Sequence, residues 1–148
     1  MIIRTKDLAK YQHQTVMVDG CFDPLHDGHI AYFKAASAFA LPILCNVEND
    51  CYLENVKHRP SLLADKKRII LIDAIKYISY THLQTSTTDD VLLKLKPLIY
   101  FKGADWRKKK LPQEEIDICR KYNIKIAYMD KNINSSSQVV ADFLKKYR

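Results

Sequence analysis

At 148 residues the chain has room for one domain, and 47% hydrophobic with 28% charged residues is an ordinary globular balance that can fill a core. Three glycines and five prolines exclude a long linker or disordered tract, and residues 1–12 mix acid and base without an apolar run, which excludes a normal secretory signal. A net charge of +7 fits anionic ligands such as nucleotides, sugar phosphates or nucleic acid, without choosing among them.

The first strand signal is residues 15–18, a short apolar run that ends at Asp19-Gly20. Residues 27–40 then turn helical, with Ile30, Phe33, Ala36 and Ala40 recurring at helix spacing. Residues 41–47 form a second apolar run, followed by a less regular stretch that leads to Arg59-Pro60-Ser61. Ser61 reads as the N-cap of the next helix, which carries Ile69, Ile70, Ile72 and Ile75. A strand over 78–83 precedes a short helix over 87–95, stopped by Pro97. Residues 98–101 give a further strand, 112–122 a helix with proline at its start, 124–129 the last strand and 136–147 the last helix. The longest uncharged stretch, 35–47, falls well short of the ~20 apolar residues that a membrane span needs. A soluble, cytoplasmic protein is the expectation, with no membrane partner. Four cysteines, none in a Cys-x-x-Cys pair, read as reduced thiols, with Cys45 and Cys119 as small core residues.

Strands alternating with helices predict an α/β class, a Rossmann-like doubly wound parallel sheet of about five strands in a single domain, 1–148. In such a sheet ligands sit outside the carboxyl ends of the strands. The segments that fall there are 20–29, 48–59, 102–110 and 130–137.

The first of them, Gly20-Cys21-Phe22-Asp23-Pro24-Leu25-His26-Asp27-Gly28-His29, takes the chain from a strand through a tight turn into a helix. His26 and His29 lie three apart, on one face of a helical turn. Gly28 between them leaves the backbone open to a bulky ligand. Amides at a helix start already favour phosphate, and two imidazoles there can donate to phosphate oxygens during phosphoryl transfer. Cys21 lacks an activating base, so it does not read as a nucleophile. A zinc site from Cys21, His26 and His29 lacks a fourth ligand at zinc spacing. Lys57-His58-Arg59 reads as a phosphate loop or a solvated turn, and Trp106 as a base-stacking ring or a plug at the core edge. Arg107-Lys108-Lys109-Lys110 reads as an attractor of polyanionic substrate or a solvated charge run. The nine tyrosines are dispersed without basic interleaving, which disfavours nucleic acid as a partner.

The segment 20–29 resembles the signature of the cytidylyltransferase-like nucleotidyltransferases, and the resemblance runs from about Val16 to Leu144. It is nearest to the D-glycero-β-D-manno-heptose 1-phosphate adenylyltransferases, with the glycerol-3-phosphate cytidylyltransferases next. Arg59-Pro60 and Asp65-Lys66-Lys67-Arg68 resemble the stretch after the family's lysine loop. Phe101-Lys102-Gly103-Ala104-Asp105-Trp106 resembles the heptose enzymes' Lys-Gly-Gly-Asp-Tyr segment, and Ser135-Ser136-Ser137 stands where the family has Ser-Thr-Thr. Two loops depart from the pattern: the Lys57 loop is short and lacks glycine, and residues 130–134 lack the arginine and glycine of the cytidylyltransferases.

The resemblance implies transfer of a nucleotidyl unit from an NTP to a phosphorylated small molecule, with release of pyrophosphate. ATP and a heptose-like sugar 1-phosphate come first, CTP and a polyol phosphate second, and a non-catalytic nucleotide-binding module is the rival from another class. The resemblance implies that His26, His29 and Lys57 act on the phosphates. It gives Gly20, Cys21, Phe22, Asp23, Gly28, Lys102, Gly103, Asp105, Trp106, Ser135, Ser136 and Ser137 to the nucleotide. Mg²⁺ would arrive on the triphosphate rather than in a protein cage. Small members often form dimers, so a homodimer is a further expectation of the resemblance.

Overall fold

The computed structural model describes residues 1–147. Among these residues six strands form one sheet: β1 (Ile2–Ile3), β2 (Val16–Gly20), β3 (Ile43–Val47), β4 (Tyr80–Leu83), β5 (Ile99–Lys102) and β6 (Lys125–Tyr128). Their order is β1-β4-β3-β2-β5-β6, and every neighbouring pair is parallel. The α-helices of the described residues are α1 (Asp27–Ser37), α2 (Asp50–Asn55), α3 (Asp65–Asp73), α4 (Thr88–Leu95), α5 (Trp106–Lys109), α6 (Gln113–Lys121) and α7 (Ser136–Tyr147). The five expected strands are present; β1 is added at the edge beside β4 and is too short to carry a sequence signal.

The strands read as continuous apolar runs because both faces of the sheet are covered. Side chains alternate between faces, so Val16, Val18, Ile43, Cys45 and Val47 pack in one core with Phe33, Ile72 and Phe101. Met17, Leu44 and Tyr100 pack in the other with Leu92, Leu95 and Cys119. Cys45 and Cys119 are buried, as expected of small core residues.

Local corrections are few and have physical causes. Helix α1 ends at Ser37, and its buried face is Tyr32, Phe33 and Ala36, while Ile30 is exposed. Helix α3 starts at Asp65 rather than after Ser61: Ala64 is its N-cap and makes no side-chain bond. The capping comes from another helix instead, because the Asp50 carboxylate accepts the Asp65 N–H at 3.1 and 3.2 Å while Asp65 accepts the Asp50 N–H at 3.1 Å. A capping partner fifteen residues away is invisible to a local reading. The stretch 48–59 contains the short α2, capped by Asn49. Among the described residues, no helix is long and apolar enough to cross a membrane.

Candidate active site

Strand order reverses between β2 and β5: from β2 the chain builds outward through β3 and β4, then returns to add β5 on the other side. At such a switch point the loops leave the carboxyl ends in opposite directions and open a crevice. A cavity of about 300 Å³ lies there, and all fifteen residues that the sequence singled out line it. Lys57 reaches it from an exposed rim position. The cavity also takes in Asp19, Tyr32, Arg59, Lys109, Asn132, Ile133 and Asn134, which were not among the fifteen.

The turn after β2 is built around an aromatic ring. Phe22 adopts a left-handed backbone conformation (φ 53°), and its ring folds back so that a Cβ on Gly20 would stand 3.1 Å from Cζ. The same ring meets His29 edge-on at 4.9 Å and Phe33 at 5.3 Å, which ties the turn to α1.

His26 is the N-cap of α1, and the two histidines cap each other's backbone. His26 Nδ1 accepts the Gly28 N–H at 3.0 Å, and His29 Nδ1 accepts the His26 N–H at 3.2 Å. This is a capping box with imidazoles in place of the usual hydroxyl and carboxylate. The rings stack at 3.7 Å with 24° between planes. Because both Nδ1 atoms accept, both neutral rings carry their proton on Nε2. Burial, then the nearby His26 and Lys57 charges, pushes the His29 pKa down to about 3, and burial lowers His26 as well. His26 Nε2 is buried without a partner among the described residues, a donor left for a ligand. The pair therefore presents two neutral N–H donors, fixed in place before any substrate arrives.

Gly28 has a reason beyond ligand approach. A Cβ there would sit 2.8 Å from His26 Cε1 and 3.0 Å from Asn134 N, so the cap geometry itself requires glycine.

Asp23 is fully buried, and its carboxylate is engaged by the protein. It accepts from Arg59 Nη1 at 2.9 Å, Leu62 N at 2.8 Å and Leu63 N at 2.9 Å, while Arg59 Nη2 donates to the Asp23 carbonyl. Asp23 thus clamps the loop bearing Lys57 and Arg59 to the histidine turn. In that loop His58 does not line the cavity; it is exposed and in a left-handed conformation (φ 53°). Arg68, 1% exposed, adds a second tie by donating to the carbonyls of Cys21, Glu48 and Leu63 and to the Asp50 carboxylate.

The floor is a buried ion pair. Lys102 Nζ donates to Asp19 Oδ1 at 2.5 Å and lies 4.5 Å from the centre of the Trp106 ring. Trp106 also packs at the margin of the second core, so the ring serves partly as a plug. The Tyr100 hydroxyl donates to Asp19 at 2.7 Å and lies 3.2 Å from Glu115 Oε2. Burial, then the Asp19 charge, pushes the Glu115 pKa up to about 7, against the pull of Lys102 and the Tyr100 hydroxyl. The native state therefore keeps this proton up to neutrality, whereas the unfolded chain releases it near the ordinary value of 4.5. Stability from this group falls as pH rises between those values. Glu115→Gln will flatten that decline by on the order of 3 kcal/mol between pH 4.5 and 7, read from urea unfolding of both proteins across the range.

Cys21 donates to Glu48 at 2.8 Å, and burial followed by the Glu48 charge pushes its thiol up to about 12, so no thiolate is available for attack. On the far wall, Asp105 pairs with Lys109 at 3.1 Å; of the basic run only Lys109 lines the cavity. Ser135 caps α7 by accepting the Gln138 N–H at 3.1 Å, and Ser136 donates to the Pro24 carbonyl at 2.9 Å, which docks α7 on the histidine turn. Arg59, Asn132 and Asn134 carry no distinct signal in the sequence: asparagine in a loop reads as a turn former, and Arg59 stands in a loop that also reads as a solvated turn.

Comparison with known proteins identifies the family. The cytidylyltransferase-like family model matches residues 17–143, nearly the whole chain. The chain belongs to the cytidylyltransferase-like nucleotidyltransferases. It is 31% identical over 107 residues to the bifunctional protein HldE of a Helicobacter pylori strain, covering 70% of this chain and 23% of that one. It is 30% identical over 115 residues to HldE of a Nitratiruptor species, covering 76% and 25%. The nucleotidyltransferase thus spans about a quarter of the length of the curated relatives it matches. Among solved structures, the lipopolysaccharide core biosynthesis protein from Thermoplasma volcanium superposes with TM-score 0.67 at 26% identity, over 80% of this chain and 97% of that one. Pantoate-beta-alanine ligase from Francisella tularensis, with TM-score 0.61 at 13% identity over 93% of this chain and 69% of that one, shares the fold.

Proposed function

We propose that this nucleotidyltransferase moves AMP from ATP to a sugar 1-phosphate of the heptose class, releasing pyrophosphate. The observation that carries the reading is the stacked, mutually capped pair His26 and His29, whose Nε2–H donors are neutral and preset at the cavity. An acceptor phosphate oxygen attacks the α-phosphorus in line, its bond to phosphorus forms as the bond to the bridging oxygen breaks, and pyrophosphate leaves with that oxygen. Charge grows on the non-bridging and leaving oxygens, where preorganised donors are worth most. His26 and His29 stabilise those oxygens, Lys57 and Arg59 add positive charge from the rim, and the start of α7 holds the tail of the triphosphate. No proton needs to be taken from the acceptor, since its phosphate is already ionised at neutral pH.

Mg²⁺ enters with the triphosphate in this reading, as Mg²⁺ prefers phosphate oxygens and water. Asp19, Asp23 and Asp105 at the cavity each already hold a protein partner, which supports that arrangement. The preference for ATP and a sugar phosphate rests on the resemblance of the Lys102-Gly103-Ala104-Asp105 segment to the heptose enzymes, with the HldE relatives and the lipopolysaccharide core protein as support. A cytoplasmic setting, a homodimer and a role in carbohydrate metabolism belong to the same proposal.

The test is pyrophosphate release with Mg²⁺, using ATP and CTP separately against sugar 1-phosphates and polyol phosphates. Release with ATP and a sugar 1-phosphate is the expected result. Release with CTP alone moves the assignment to cytidylyl transfer and keeps the histidine chemistry. Nucleotide binding without release from any pair would instead favour a non-catalytic binding module.

A further inference from the structure

Beneath the cavity floor, polar side chains from three elements meet around the hydroxyl oxygen of Tyr100. Glu115, in the first turn of α6, is buried among them; it does not line the cavity, and the proposed reaction does not use it. The Tyr100 oxygen lies 2.7 Å from Asp19 Oδ2, 3.2 Å from Glu115 Oε2 and 3.2 Å from Lys102 Nζ. A phenol brings one hydrogen and accepts others on its lone pairs. Lys102 donates to this oxygen and, at 2.5 Å, to Asp19 Oδ1. The phenol hydrogen serves only one of the two carboxyl groups, so the other contact needs a hydrogen of its own. Asp19 is satisfied on both oxygens, by the ammonium and by the phenol. The second hydrogen therefore sits on Glu115, which donates it to Tyr100.

In that arrangement the floor is neutral, with one carboxylate, one ammonium and one carboxylic acid. The upward push on the Glu115 pKa, from burial and then the Asp19 charge, agrees with this count of hydrogens. Besides Asp19, Tyr100 and Lys102, the titratable groups facing Glu115 are Asp89 from α4, Cys119 on α6 and Tyr52 from α2. Among all these groups Lys102 alone is cationic. Loss of the Glu115 proton sets two carboxylates in competition for the Tyr100 hydrogen and for the Lys102 ammonium. Lys102 also lines the cavity, so an ammonium drawn toward Glu115 is drawn away from an anionic ligand. The lost proton leaves an uncompensated negative charge beneath that ligand as well.

We propose that Glu115 is a positioning residue for the Lys102 ammonium, and that nucleotide binds more tightly when Glu115 carries its proton. The inference rests on the nucleotidyltransferase reading of the site. By linkage, an anion bound above the floor draws a proton onto Glu115, and affinity falls as pH rises through neutrality. The two imidazoles are left alone, since His26 and His29 are fixed by their mutual caps. The loss should therefore appear in KM rather than in kcat.

The experiment compares wild type with Glu115→Gln, whose amide stays neutral at every pH and donates to Tyr100 as the acid does. Kd for ATP and for CTP, each with Mg²⁺, is titrated from about pH 6 to about pH 8.5, and KM and kcat come from pyrophosphate release. The nucleotide's own titration is common to both proteins and cancels in the ratio of their Kd values. That ratio should lie near one at the acid end and reach about tenfold in favour of Glu115→Gln at the basic end. Calorimetry near pH 7 in two buffers of different ionisation heat should show more proton uptake on binding by wild type than by the variant. A purely structural Glu115 would move the unfolding midpoint and leave the pH dependence of Kd the same in both proteins. A Kd ratio that does not change with pH, or equal proton uptake, overturns the role of Glu115 while the parent reading stands. Wild-type binding without proton uptake overturns it too, whether or not the variant folds. A wild-type chain that binds neither nucleotide and releases no pyrophosphate overturns the parent reading, and the role of Glu115 falls with it.

Discussion

Replacing His29 by asparagine will lower turnover by about 100- to 1,000-fold and leave the fold in place, because it removes one job of the side chain and keeps the other. Asparagine Oδ1 can accept the His26 N–H that His29 Nδ1 accepts at 3.2 Å, so the start of α1 stays capped. It has no counterpart to the Nε2–H that the stacked pair presents to the cavity. Alanine would remove both functions and mix a lost cap with a lost donor. The measurement is kcat from pyrophosphate release, with circular dichroism and the urea midpoint as controls. A rate within tenfold of wild type at full nucleotide saturation would remove His29 from the catalytic machinery. Since His29 is held neutral down to about pH 3, its protonation cannot by itself produce an acid limb in the rate profile near pH 6.5.

Asp23→Ala will be the most damaging single change to stability at the site, by about 3 kcal/mol. The carboxylate is completely buried and accepts two backbone N–H groups and one guanidinium nitrogen. Removing one partner of a buried charged pair costs ~3–5 kcal/mol, the groups left unpaired included. Arg59 is one-third exposed and can rehydrate, which offsets part of that loss. Against a total stability of roughly 5–15 kcal/mol this is a large fraction, and it should appear as a clear drop in the urea midpoint at unchanged slope. Asp23→Asn keeps one acceptor and should lose about half as much. Nucleotide KM should rise in both variants, because the loop carrying Lys57 and Arg59 loses its anchor to the histidine turn. A midpoint equal to wild type in Asp23→Ala would mean that the clamp contributes nothing.

The two variants probe different layers of one site, and the sequence showed those layers unequally. The histidine turn was legible because everything it needs lies within ten residues: a strand end, a turn, two imidazoles at helix spacing and a glycine between them. The loops after the other strands were legible as positions, since an alternating α/β chain must bring its strand ends to one edge. The partners of single side chains were not legible, in the histidine turn or in the other loops. Asp23 read as a ligand contact and is occupied by a loop clamp. Lys102 read as a nucleotide contact and is also half of a buried ion pair. Ser136 read as a phosphate hydroxyl and spends its proton on the Pro24 carbonyl.

By itself, then, the sequence determined the parallel doubly wound sheet, the turn that bears the histidines and the edge on which the site lies. These follow from apolar periodicity and from turn and cap residues that act over a few positions. Only the tertiary structure decided which protonated nitrogen each imidazole presents, which carboxylates are already spoken for, and where the loop after β6 is fastened. Those depend on partners 36 residues apart for Asp23 and Arg59 and 107 apart for Asn134 and Asp27. A buried group's charge and free hydrogen-bonding capacity are set by whatever the fold packs against it, and no local pattern records that neighbour.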